Sequence, residues 1–149
     1  MKNDSETGSA NDQEQALFPI IGLGYSAGGL KALKRFLSGV RSGSKAAYVV
    51  IHHLPEEGES QLHGILKEEA PLPLHKLADG QKPKSGHIYI LSVKADVVMD
   101  KDLVRFTENS DPGGNNNSPI DRFFGSLARD KAEMVVGVIL SGSGTDGTV

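Results

Sequence analysis

The 149-residue sequence contains no cysteine. That absence excludes a disulfide scaffold, a thiolate metal site and a cysteine nucleophile together. Long apolar runs are missing as well: nothing approaches the ~18 consecutive residues a membrane helix needs, so no membrane insertion is expected. The first sixteen residues lack the apolar stretch of a secretory signal, which makes a cytoplasmic location the default expectation. Nor is there an excess of positive charge. The formal net charge of −3 arises in those sixteen residues, where Asp4, Glu6, Asp12 and Glu14 face only Lys2; beyond them the charges balance. A neutral body argues against nucleic-acid binding, which depends on a concentrated basic surface. One stretch departs from this balance: Lys31, Lys34, Arg35, Arg41 and Lys45 stand without an intervening acid. It reads first as a solvated helix face and second as a surface for an acidic partner.

What is present fits one globular domain: 38 % hydrophobic and 23 % charged residues are enough for a real core. Residues 1–17 are rich in Asn, Asp, Ser, Glu and Gln and read as a disordered tail, leaving 18–149 as the domain. Phe18 to Gly24 is a short apolar run broken by glycines, consistent with a buried strand opening into a tight turn. Leu30, Leu33, Leu37 and Val40 then recur at helical spacing, predicting an amphipathic helix over about 28–40. Ala46 to Ile51 is a second unbroken apolar strand, completing a βαβ unit with parallel strands. A helix follows over about 60–69, with Ser60 as its expected cap. His87 to Leu91 reads as a strand, and Val97 to Phe106 as a hairpin turning at Asp100-Lys101-Asp102. Ser118-Pro119-Ile120-Asp121 opens a helix with a capping serine, proline at the first helical position and an acid in the first turn. Met134 to Leu140 is expected to be a buried strand feeding the loop Ser141 to Gly147. The expected fold is α/β: a doubly wound, mostly parallel sheet with a small β-hairpin near its active edge. A loop of this kind normally feeds a helix, so the domain is expected to continue past Val149 and to be C-terminally truncated here.

The first glycine loop admits two readings. Gly22-Leu23-Gly24-Tyr25-Ser26-Ala27 fits the dinucleotide pattern G-x-G-x-x-A, and Gly24-Tyr25-Ser26-Ala27-Gly28 fits the nucleophile pattern G-x-S-x-G. The end of the second strand decides between them. A nicotinamide-binding fold carries an acid there to hold the ribose, whereas this chain carries His52 and His53. Ser26 and His53 follow consecutive strands joined by one crossover, so both belong at the carboxyl edge, where open α/β sheets bind ligands. Asp146 joins them if the strand ending at Leu140 is parallel to the first two. A serine, a histidine and an aspartate there are the parts of a nucleophile, its base and the group that orients the base. No metal is expected: His52, His53, Glu56, Glu57 and His63 lack a paired ligand spacing, and neighbours on a strand point to opposite faces. His75 and His87 read as structural or exposed, Asp121 as a helix-start residue, and Phe123 and Phe124 as core.

Taken in order, these stretches carry a resemblance. Gly24-Tyr25-Ser26-Ala27-Gly28-Gly29-Leu30, Val49 to Pro55, Asp79-Gly80, Gly86 to Ile90, Pro119 to Phe124 and Val138 to Gly147 resemble the CheB family, the protein-glutamate methylesterases of bacterial chemotaxis. The SAGG and PIDRFF forms look most like the domain fused to a methyltransferase in CheB/CheR hybrids. The resemblance implies a triad of Ser26, His53 and Asp146 and selects His53 over His52, which replaces a residue commonly Gln. It also implies backbone donors near Ala27, Ser143 and Gly144 for the oxyanion, and no cofactor. The implied reaction is hydrolysis of glutamate γ-methyl esters on chemoreceptors with release of methanol, glutamine deamidation being a related activity. The implied partners are the methylated cytoplasmic region of a chemoreceptor and a fused or separate CheR-type methyltransferase. Ala27 and Ser143 depart from the Thr and Met common in chemotaxis members, and Leu91 to Asp96 lacks the family's Ala-Pro. Two rivals make different predictions. A catalytically silent partner-binding module predicts no turnover dependent on Ser26, and a nucleotide-binding domain predicts a ligand-dependent rise in melting temperature.

Overall fold

A computed structural model describes residues 17–26, 28–52, 59–91, 95–107, 118–131 and 133–140. Five strands form one parallel sheet: β1 (Ile20–Tyr25), β2 (Ala47–His52), β3 (Leu74–Lys76), β4 (Ile88–Ile90) and, last in the chain, β7 (Val135–Ile139). Their order is β3-β4-β2-β1-β7. β1 is therefore central, flanked by β2 and β7, with Gly24 opposite both Ile51 and Ile139. Two further strands, β5 (Asp96–Asp100) and β6 (Leu103–Thr107), pair antiparallel as a separate hairpin.

Helices cover both faces, as a parallel sheet requires. Helices α1 (Leu30–Ser38) and α2 (Glu59–Lys67) lie on one face, where Leu33, Leu37, Leu62 and Leu66 pack on Leu23, Tyr25, Tyr48, Val50, Ile88 and Ile90. On the other, helix α3 (Pro119–Lys131) and the hairpin bring Ile120, Phe123, Leu127, Val97, Met99 and Val104 against Ile20, Val49, Ile51 and Tyr89. The glycines of β1 make the second contact possible. A Cβ on Gly22 would lie 2.9 Å from Phe124 Cε1, and one on Gly24 would lie 2.6 Å from Ile120 Cγ2. Side chains at these two positions would hold α3 off the sheet.

The start of α3 forms as its sequence predicts. Ser118 Oγ accepts from the Asp121 backbone N–H at 3.2 Å and donates to Asp121 Oδ2 at 2.9 Å. Asp121 is thus spent on the helix terminus. The hairpin turns through Lys101 and Asp102, both at positive φ, as a two-residue turn between twisted strands requires. Their N–H groups donate to the two carboxylate oxygens of Asp130 at 2.8 and 3.1 Å. At the opposite end of the hairpin Arg122 pairs with the buried Asp96 at 2.7 Å. The hairpin therefore lies clamped along α3, its turn toward the amino edge of the sheet and its open end toward the carboxyl edge.

Three expectations need correction. α2 begins at Glu59, one residue before the expected start at Ser60, which falls in its first turn. β7 is not buried: Val136 is 49 % and Ile139 44 % exposed, because among the described residues it is a margin of the sheet. β3, a three-residue strand after Pro71 and Pro73, was not expected at all. The basic residues Lys31, Arg35, Arg41 and Lys45 are exposed, and Lys34 reaches Glu69 at 3.8 Å, as a solvated face would.

Candidate active site

Ser26 leaves β1 at the carboxyl edge, immediately after Tyr25. Its carbonyl accepts a 2.9 Å hydrogen bond from the Gly29 N–H, and the Gly29 carbonyl in turn accepts from the Leu33 N–H at 2.9 Å. The strand thus turns into α1 within four residues. Gly28 sits at φ +90, with nothing within 4 Å of where a Cβ would stand. Backbone conformation, rather than crowding, is what calls for glycine there. A sharp strand-to-helix turn of this kind presents a half-buried serine at the top of a sheet. α1 carries no acid in its first turn, so its own side chains do not offset the positive end of its dipole beside Ser26.

The flanking strands bring their ends to the same place. β2 ends at His52, in register with Tyr25, so the two strands finish at the same level. On the other side the Leu140 N–H donates to the Gly24 carbonyl at 2.9 Å, which carries the end of β7 alongside Ser26. β7 is parallel to β1. The condition set on Asp146, that its strand run the same way as the first two, is met. Of the expected site, Ser26 is described; His53, Asp146, Ala27, Ser143 and Gly144 lie outside the described residues.

His52 is placed quite unlike a base for Ser26. It is 6 % exposed, and its ring lies 5.6 Å from that of Tyr25, tilted by 56°. Among the described residues neither of its ring nitrogens has a hydrogen-bond partner of good geometry, and neither does the Tyr25 hydroxyl. Burial pushes the His52 pKa below the ordinary histidine value, with the Leu91 backbone opposing, and pushes the Tyr25 phenol upward. His52 is therefore a neutral imidazole at neutral pH. The sequence showed two adjacent histidines but not that one of them would be sealed against a tyrosine; only the register reveals it. His75 and His87 join through Nε2 and Nδ1 at 2.7 Å and stack with Tyr89, a structural role as expected. Among the described residues no three His, Asp or Glu side chains form a metal-binding group.

The sequence and the fold both have counterparts among known proteins. A family model for CheB methylesterase aligns with residues 21–149. The chain belongs to the CheB methylesterase family. Among its relatives is a protein-glutamate methylesterase/protein-glutamine glutaminase of Treponema denticola, 27 % identical over 138 residues, covering 91 % of this chain and 37 % of the relative. Another, of the same designation numbered 1, comes from Rhodospirillum rubrum; it is 32 % identical over 137 residues, covering 87 % and 35 %. The chain thus spans little more than a third of these relatives' length. Among solved structures it is similar to the CheB methylesterase catalytic domain of Thermotoga maritima, with a TM-score of 0.74 and 25 % identity over 89 % of this chain and 71 % of that one. The doubly wound CheB fold is therefore common to both. No described helix of this CheB-family chain is long and apolar enough to cross a membrane.

Proposed function

We propose that the chain carries the catalytic part of a serine-type protein-glutamate methylesterase, acting on glutamate γ-methyl esters of a chemoreceptor's cytoplasmic region. The observation that carries this reading is the placement of Ser26 on a strand-to-helix turn, one residue beyond a β1–β2 pair whose β2 partner is followed by His53. The family and the names of the relatives support the same chemistry. Ser26, His53 and Asp146 form the proposed triad, with 18–149 as its domain.

His53 takes the proton of Ser26 as the hydroxyl oxygen adds to the ester carbonyl. The tetrahedral oxyanion is met by backbone N–H groups at Ala27, Ser143 and Gly144 and by the positive end of α1; one such donor is worth about 2.7–4 kcal/mol in transition-state stabilisation. Collapse expels methoxide, which leaves as methanol with the proton from His53. Water then adds to the acyl-enzyme, gives His53 a proton and restores Ser26, leaving the glutamate carboxylate. Asp146 holds the imidazole in the required tautomer and stabilises its charged form. The same sequence with ammonia as the leaving group deamidates glutamine. The reading places the protein in the cytoplasm, with a CheR-type methyltransferase, fused or separate, supplying the ester that it removes. No step calls for a cofactor.

Rapid quenching during turnover of a methyl-esterified receptor peptide tests this directly. Mass mapping is expected to find the receptor acyl group on the peptide that contains Ser26. Turnover with the acyl group on another residue, or with no adduct under conditions where deacylation is slowed, would overturn the reading.

A further inference from the structure

Three buried polar atoms at the carboxyl ends of β1 and β2 have no hydrogen-bond partner of good geometry among the described residues: the Tyr25 hydroxyl and both ring nitrogens of His52. Both residues are more than nine-tenths buried, on the face covered by α1 and α2. Each such atom costs the fold; leucine or phenylalanine in the same space would remove a desolvation penalty of about 1–3 kcal/mol per orphaned group. Folds carry such costs most often where function needs them. The location supplies the need. Tyr25 precedes Ser26, His52 precedes His53, and the two are direct register partners with their rings 5.6 Å apart. The two rings thus stand side by side at the last register pair before the proposed nucleophile and base.

We infer that Tyr25 and His52 are positioning residues for the Ser26–His53 pair. Their buried rings fix the step between β1 and β2 from which serine and base leave the sheet. The phenol, one residue before the nucleophile, and the imidazole, one residue before the base, are preorganised dipoles at the pair that carries the reaction. Neither touches substrate, and His52, kept neutral by its surroundings, does not compete for the serine proton. This role rests on the esterase reading of Ser26 and His53.

The experiment measures the reaction of Ser26 with an alkyl fluorophosphonate. The serine oxygen forms a bond to phosphorus, fluoride leaves, and the serine proton passes to the base, so no receptor is needed. The limiting rate constant and the half-saturating probe concentration are compared in the intact chain, Tyr25→Phe, His52→Leu, His52→Gln and Ser26→Ala, with a thermal melt of each. Tyr25→Phe and His52→Leu are expected to melt no lower than wild type, yet to label roughly ten- to a hundredfold more slowly at an unchanged half-saturating concentration. His52→Gln, which restores a neutral donor and acceptor, is expected to recover most of the rate. Wild-type labelling in both Tyr25→Phe and His52→Leu would overturn the inference and leave the esterase reading standing. So would a loss of rate that merely follows a fall in melting temperature. Failure of the wild-type chain to label faster than Ser26→Ala would remove the esterase reading, and the positioning role with it.

Discussion

Substituting Gly24 with alanine is expected to destabilise the domain by about 1–3 kcal/mol, the usual cost of forcing a methyl group into a packed contact. The added Cβ would lie 2.6 Å from Ile120 Cγ2 and 3.2 Å from Cδ1. Ile120 is 1 % exposed and stands in the first turn of α3, where a β-branched side chain has essentially one rotamer. It cannot swing aside, so the helix must move. Truncating Ile120 to alanine alone removes a fully buried side chain and is expected to cost about 2–5 kcal/mol. In the double variant the new methyl group occupies part of the space the isoleucine vacates. The combined loss is therefore expected to fall short of the two single losses added together by about 1 kcal/mol or more. Urea denaturation of the four proteins measures this. Strict additivity would mean that Gly24 and α3 do not press on one another.

The larger kinetic effect is expected at Asp146. Replacement by asparagine preserves size and hydrogen bonding but favours the wrong imidazole tautomer and no longer stabilises the imidazolium. In a triad of this type that change lowers kcat by about 10^4 and leaves substrate binding largely intact. The expected result for Asp146→Asn is thus a fall of that order in kcat for methanol release, with KM close to wild type. β7 makes the prediction specific. It runs parallel to β1, and the N–H of Leu140, the residue after it, donates to the Gly24 carbonyl, so the chain reaches Leu140 beside the end of β1 that leads to Ser26. A wild-type kcat in Asp146→Asn would remove the aspartate from the mechanism and leave a serine–histidine dyad.

Much of this architecture was legible in the sequence because the relevant signals are local. The glycine-broken apolar run of β1, the unbroken run of β2 and the three-and-four spacing of α1 follow from burial on both sheet faces. Ser118, Pro119 and Asp121 announce the start of α3 because capping is a property of four consecutive residues. The failures share a different cause. β3 has three residues beside two prolines, too few for any period to show. The exposure of Val136 and Ile139 depends on what lies beside β7, about which an apolar run says nothing. Gly22 and Gly24 read as parts of a turn or a phosphate loop, whereas their use is to let Ile120, Phe123 and Phe124 approach the sheet. At the site, the residue types at the strand ends suggested the chemistry proposed above. The pairing of His52 with Tyr25 could emerge only once β1 and β2 were in register.

The central claim, that Ser26 is the nucleophile of a glutamate methylesterase, is tested most directly by methanol release. The intact protein and its Ser26→Ala variant are incubated with a methyl-esterified chemoreceptor fragment, with circular dichroism recorded on both samples. Ser26 offers the fold only its backbone carbonyl at the Gly29 turn among the hydrogen bonds described, so the variant is expected to keep its spectrum. The account predicts steady release by the intact protein and a loss of about 10^3-fold or more in the variant. Release at the same rate from both folded proteins would contradict it.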